Sequence, residues 1–347
     1  TELRDDEHHA APVDYDNPSF AKPAQFLTDL YSRPRYDELD PTLFLSIIFP
    51  IFFGIILGDV GYGAILLLTA LVLRKYLTST EGRWLIANLR NASISSIIFG
   101  VLYSECFGFE LPWHPVLFPR HLSVGAEAEG GGPDIPGLLM FAIWIGIAQI
   151  TLGRLLSAVN HYRHHGMKGA IPQLGWISSL WGILIVLLSL FPLPLMPDLT
   201  GMPPVVMGLS LAGIVGIVML IAGMLAIASE SALELVEFPS IISHTMSYAR
   251  LAAVGLSSVA IAMVVNLIAI DMLIEPQLEH LSAIGVVLVV LGIVVLIFGH
   301  LGNTALGLLG GGLQSLRLQY VEFFTKFYKG GGEKYNPFGM IKRFTEE

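Results

Sequence analysis

Long apolar runs separated by short polar segments fill the chain from Pro41 onward, and their lengths set the architecture. A helix needs about 20 residues to cross a bilayer. On that measure the pattern predicts eight spans, at 42–58, 60–76, 86–107, 136–158, 170–192, 204–228, 243–270 and 282–326. The stretch from Pro41 to Lys75 is too long for one crossing, and the Gly-Asp-Val-Gly-Tyr-Gly segment at 58–63 supplies glycines at which a helix breaks and reverses. The alternative is a single tilted helix. The last span runs well past the bilayer. The pattern divides the chain into a polar segment 1–41, a membrane domain 42–328 and a tail 329–347. The fold class expected is an all-α polytopic membrane protein.

Composition agrees, with 54% hydrophobic and 14% charged residues. A net charge of −9 argues against a nucleic-acid partner. The single cysteine, Cys106, excludes an internal disulfide and any multi-cysteine metal site. No apolar core marks the first 40 residues as a signal peptide, and the missing initial Met hints at a fragment. No P-loop, dinucleotide fingerprint, H-E-x-x-H or nucleophile elbow is present, so neither a catalytic site nor a cofactor is expected.

Basic residues set the orientation. With the amino terminus inside, the inner segments collect Arg4, Lys22, Arg33, Arg35, Arg74, Lys75, Arg83, Arg90, Arg163, Lys168, Lys326, Lys329, Lys334, Lys342 and Arg343, and the outer loops hold only Arg120. That asymmetry follows the positive-inside rule and puts both termini in the cytoplasm. His161, His164 and His165 read as a headgroup-facing loop rather than a metal site. Acids then sort by side: Asp59 and Glu105 fall at the outer ends of spans, and Glu230, Glu234 and Glu237 at the inner side. The inner three have i, i+4, i+7 spacing, one stripe if helical, which also describes the solvated face of an interfacial helix.

Arg154, Arg250 and Arg317 remain, all inside spans. A charge at bilayer depth costs roughly 2.5–3.5 kcal/mol on insertion scales, so such residues face a protein interior or an ion path. Arginine stays protonated at any physiological pH and acts as a fixed positive charge. Ser243, Ser247, Arg250 and Ser257 share one helical face, and Asn303, Gly310, Gln314 and Arg317 share another. Each arginine could instead staple the bundle through a carboxylate. Two of them on adjacent spans, with acids on opposite membrane faces, point to a pathway.

The segments FPIFFGIILGDVGYG (49–63), GVLYSECFGF (100–109), VEFPSIISHTMSYARLAAVGLSS (236–258) and LQSLRLQYVEFFTKFYKGGGEKYNPF (313–338) resemble the membrane domain of subunit I, or subunit a, of V/A-type rotary ATPases. The resemblance implies a stator of about eight helices, its two long tilted C-terminal helices facing a rotating proteolipid c-ring, with peripheral-stalk and central-stalk subunits as further partners. It implies Arg250 and Arg317 opposite the ring carboxylates, a cytoplasmic half-channel at Glu237, Glu234 and Gln314, and an outer half-channel at Asp59, Glu105 and Arg154. It further implies a prokaryotic cell membrane, transport of H⁺ or Na⁺, and a missing amino-terminal domain to which residues 1–41 link. Eukaryotic relatives place a histidine and a glutamate where this chain has Ser258 and Gly307. A secondary transporter binding an anion at its arginines, or a purely structural anchor, are the alternatives.

Overall fold

The computed structural model describes residues 11–36, 38–120, 133–201, 203–206, 209–278 and 282–335. Eleven α-helices account for most of these: α1 (Lys22–Tyr31), α2 (Thr42–Leu57), α3 (Val60–Leu73), α4 (Thr80–Tyr103), α5 (Ile135–His165), α6 (Met167–Leu190), α7 (Leu211–Ala228), α8 (Ser240–Met246), α9 (Ala249–Asn266), α10 (Glu275–Leu278) and α11 (Ala283–Arg317). The β-structure among them amounts to two short two-stranded ribbons, so the molecule is all-α as expected. Six helical stretches are long and apolar enough to cross a membrane, the last two being Leu233–Leu278 and Ala283–Lys326; α2 and α3 are shorter apolar helices. The eight expected spans thus resolve into six long ones and a short pair. Residues 1–10 of the polar segment and 336–347 of the tail lie outside the described residues.

Side-chain caps start the helices where the sequence supplies them. Asp59 accepts from the Tyr62 amide, Ser79 from Gly82, Asp134 from Gly137, Ser210 from Gly213 and Ser282 from Gly285, each satisfying an amide that the helix leaves open. At Gly166, φ is 65°, a conformation that glycine adopts without penalty, and α5 turns there into α6.

The chain does reverse at Gly58-Asp59. Gly54 and Gly58 of α2 lie against Ser95 and Tyr103 of α4, so these two helices run in the same direction, whereas Gly63 of α3 lies against Ile97 and Gly100 of α4 against Val60. The helices α2 and α3 are therefore antiparallel, on either side of α4. Beyond Tyr103 the expected helix gives way to a tight hairpin pairing Glu105 with Glu110 and Cys106 with Phe109. Small residues then bring α6 and α7 together: a Cβ at Gly175, Gly182 or Gly223 would meet the facing backbone within 2.8 Å.

Both described ends lie on one face. Val13 pairs with Lys334, Glu38 accepts from the Lys329 and Gly330 amides, and Tyr320 Oη donates to the Leu27 carbonyl at 2.6 Å. Tyr31 stacks on Tyr320 at 5.2 Å. The polar amino-terminal segment is docked on the foot of α11.

Candidate functional site

Arg250 lies in the first turn of α9, and Arg317 ends α11. Directly after Arg317 the helix widens into a π-helix, Leu318–Phe323, of the kind that recurs at functional sites. The change of pitch buries Gln319 and Glu322 while Arg317 stays exposed. Glu322 is the residue sequence reasoning missed. It is 2% exposed, lies near Ser247, and is within electrostatic reach of Arg250 and then Arg317. Among the described residues neither arginine forms an ion pair. The bundle-staple alternative therefore finds no carboxylate bound to either one.

Instead, unmet polar groups gather here. Among the described residues, seven of the ten buried side-chain atoms without a hydrogen-bond partner belong to this region: Gln149 Oε1, Tyr248 Oη, Arg250 Nη1, Gln314 Oε1, Ser315 Oγ, Gln319 Nε2 and Glu322 Oε2. Gln149 of α5 donates to Gln319 at 2.8 Å, which joins α5 to the π-helix. Each such atom costs about 1–3 kcal/mol if it stays dry. Such atoms gathered where α5, α9 and the end of α11 meet call for an explanation beyond packing.

On the amino-terminal side of Arg250 the expected acidic stripe changes shape. Residues Ala232–Glu237 form a 3₁₀-helix, not an α-helix, and Glu230 precedes it. In that geometry residues three apart eclipse, so Glu234 and Glu237 share an edge and Glu230 leaves the row. Both carboxylates act electrostatically on Arg154, which donates to Gln173 Oε1 at 2.9 Å and stacks over Trp176 at 4.3 Å. His244 and Lys326 line the same small recess. Arg154 is thus placed with Glu234 and Glu237, and not with Asp59 and Glu105 as the resemblance implied.

At the opposite end, Asp59 is 3% exposed and accepts from the Tyr62 amide at 2.9 Å and the Gly108 amide at 3.3 Å, clamping the α2–α3 turn to the hairpin. Glu105 pairs with Arg120 at 2.6 Å, both fully buried. Arg120, the one basic residue assigned to the outer loops, is buried in the fold: its guanidinium also donates to the Ile55, Ile56 and Gly58 carbonyls and stacks on Tyr103. Those carbonyls end α2 and have no helical partner, which is why a cation folds back onto them. Of the histidines, His161 Nδ1 bonds the Ser157 carbonyl oxygen within α5; the side chains of His164 and His165 lie outside the described residues.

The outward face of α11 is apolar and uncovered, with Leu306, Leu309 and Leu313 59–64% exposed. Gly302 and Gly312 have no atom within 4 Å of where a Cβ would stand, so this chain's own packing does not require them to be glycine.

Residues 3–118 and 224–340 match the V-type ATPase 116 kDa subunit family. The chain is 37% identical to the A-type ATP synthase subunit I of Archaeoglobus fulgidus, covering 99% of this chain and 55% of the relative. It is 34% identical to the A-type ATP synthase subunit I of Halobacterium salinarum (99% and 53%) and 28% identical to the V-type ATP synthase subunit I of Borreliella burgdorferi (90% and 51%). The chain spans about half the length of these curated relatives.

Proposed function

We propose that this chain, which belongs to the V-type ATPase 116 kDa subunit family, is the ion-conducting membrane part of a rotary ATPase stator. The observation that carries the reading is the row of buried, unpartnered polar atoms around Arg250, Arg317 and Glu322 in an otherwise apolar body. The partner on the open face of α11 is a rotating proteolipid ring bearing carboxylates. Two half-channels meet at the arginines from opposite membrane faces. The inner one runs past Glu237, Glu234 and Arg154 towards Gln314, and the outer one starts at the Asp59 and Glu105 end.

In this mechanism an ion neutralises a ring carboxylate, which then travels through lipid and gives up the ion on meeting the arginines. The magnitude is adequate: at about 4 Å and an effective dielectric near 20, one arginine favours the carboxylate anion by roughly 4 kcal/mol before desolvation. A membrane potential of about 100 mV adds about 2.3 kcal/mol per charge. Because neither arginine is tied to an acid among the described residues, both are available to the ring. The cytoplasm is the side of Glu237 and both termini, and stalk subunits complete the complex.

The test is ATP-driven ion pumping by the reconstituted complex, with subunit content measured in parallel. Arg250→Ala assembles and does not pump. Near-normal pumping by an intact Arg250→Ala complex overturns the reading.

A further inference from the structure

Tyr62 of α3, Asn266 of α9, and His300 and Asn303 of α11 meet in a hydrogen-bonded cluster between the Asp59 hairpin and the arginines. Tyr62 is 1%, Asn303 1% and Asn266 7% exposed. Every hydrogen in the cluster can be assigned from backbone carbonyls, which only accept. Asn266 Nδ2 donates to the Phe107 carbonyl at 2.9 Å, so its Oδ1 is the atom facing His300, and His300 Nε2 carries a hydrogen donated to it at 2.9 Å. Asn303 Nδ2 donates to the Ser258 carbonyl at 3.0 Å and to Tyr62 Oη at 2.9 Å. Tyr62 therefore uses its own hydrogen on His300 Nδ1, at 2.7 Å. The resting imidazole is neutral, with Nδ1 its basic site.

Two further features separate this cluster from simple helix glue. Asn303 Oδ1 is buried with no hydrogen-bond partner, an open acceptor on the amide that holds the Tyr62 hydroxyl. Phe107, which wedges its ring against Tyr62 and His300 at 5.3 and 5.4 Å, sits at φ 53°, a strained conformation for a side chain of its size. Strain of this kind persists where the surroundings over-determine it, and it clusters at functional sites. The site also lies where the outer route needs a group. Ser258 and Gly307 carry no titratable side chain; Asn303 bonds Ser258, which is eight residues, or about 12 Å of helix, from Arg250.

We propose that His300 is the proton-accepting group of the outer half-channel, with Tyr62 as its relay and Asn303 holding the Tyr62 hydroxyl in place, so that the ion carried is H⁺. This rests on the stator reading above. A proton from the Asp59 side is taken up at Nδ1; the imidazolium then donates from Nδ1 to the Tyr62 oxygen, and the Tyr62 hydroxyl hydrogen turns away from the ring. The Tyr62 hydroxyl proton then leaves toward the ring carboxylate while the Nδ1 proton passes to the Tyr62 oxygen, which restores the neutral imidazole and the hydroxyl, so that only N–H and O–H bonds are made and broken. The groups that face His300 are Tyr62, Asn266 and Phe107, with Asp59 as the carboxylate in electrostatic reach.

Reconstituted complexes loaded with a pH dye, or assayed with a ²²Na⁺ tracer, test both parts. Wild type acidifies the vesicles and moves no sodium; His300→Gln, which keeps hydrogen bonding and cannot titrate, loses at least about tenfold in proton pumping with subunits intact. The residual activity also loses its dependence on the pH inside the vesicle, which a packing defect does not cause. Tyr62→Phe deletes one oxygen and keeps the ring, and it falls several-fold; it carries the test if His300→Gln does not assemble. Unchanged proton pumping in the assembled variants, or sodium uptake by wild type, overturns the proposal. Arg250→Ala separates the two levels: if it fails to pump while His300→Gln pumps normally, the relay falls and the stator reading stands.

Discussion

Arg120 and Arg250 show how one residue type does opposite work in the same apolar body. Arg120 places all five of its N–H donors, on Glu105 and on the carbonyls of Ile55, Ile56 and Gly58. Arg250 leaves Nη1 buried and unbonded. Removing one partner of a buried pair strands the other charge and costs about 3–5 kcal/mol. Arg120→Ala and Glu105→Ala are therefore expected to lose that much stability, read by thermal unfolding of the detergent-solubilised protein, and Arg250→Ala much less. A Glu105→Ala protein with wild-type melting would return Glu105 to the role of a free channel acid. Arg250→Lys keeps the charge yet should still fail to pump, because a compact ammonium cannot reproduce the guanidinium fork. Arg250 and Arg317 were legible in the sequence because an arginine in an apolar run needs either a carboxylate partner or a polar path. Glu322 and Arg120 were not: each lies at the polar end of a run, where a charge ordinarily faces water, and only the fold brings it inside.

At the scale of elements, apolar periodicity located the helices and missed their pitch. Neither the π-turn after Arg317 nor the 3₁₀-turn at Ala232–Glu237 has a composition of its own, and both decide which side chains point inward. The hairpin after Tyr103 was hidden for a related reason: Cys106, Phe107 and Phe109 are apolar enough to extend the helical run. Glycines give the element-scale prediction. Gly100 of α4 touches the backbone of Asp59 and Val60, so Gly100→Leu forces α3 off α4 and costs more than about 3 kcal/mol. Gly312 touches nothing in this chain, so Gly312→Leu leaves its unfolding within about 0.5 kcal/mol of wild type. If the open face of α11 runs against a rotor, the same Gly312→Leu lowers ATP-driven pumping several-fold in the assembled complex. Full activity there would mean that this face meets only lipid.

For the whole molecule, the docking of Val13 on Lys334 and of Glu38 on Lys329 and Gly330 puts both described ends on one face, which calls for an even number of crossings between them. On the orientation proposed from the positive-inside count that face is cytoplasmic, and the reversal at Gly58-Asp59 is where the first loop returns. Single cysteines in a Cys106→Ser background test all three points at exposed positions: Trp113→Cys beyond the hairpin, Thr78→Cys between α3 and α4, and Met167→Cys between α5 and α6. A membrane-impermeant maleimide applied to intact cells should label Trp113→Cys alone, and Thr78→Cys and Met167→Cys should react only after the membrane is opened. Labelling of Thr78→Cys from outside would mean that α2 and α3 cross as one tilted unit. Reversal of all three would exchange the two half-channels and put Glu237 on the outer face. His300 would then serve the cytoplasmic route, and the arginines would meet each ring carboxylate from the other direction.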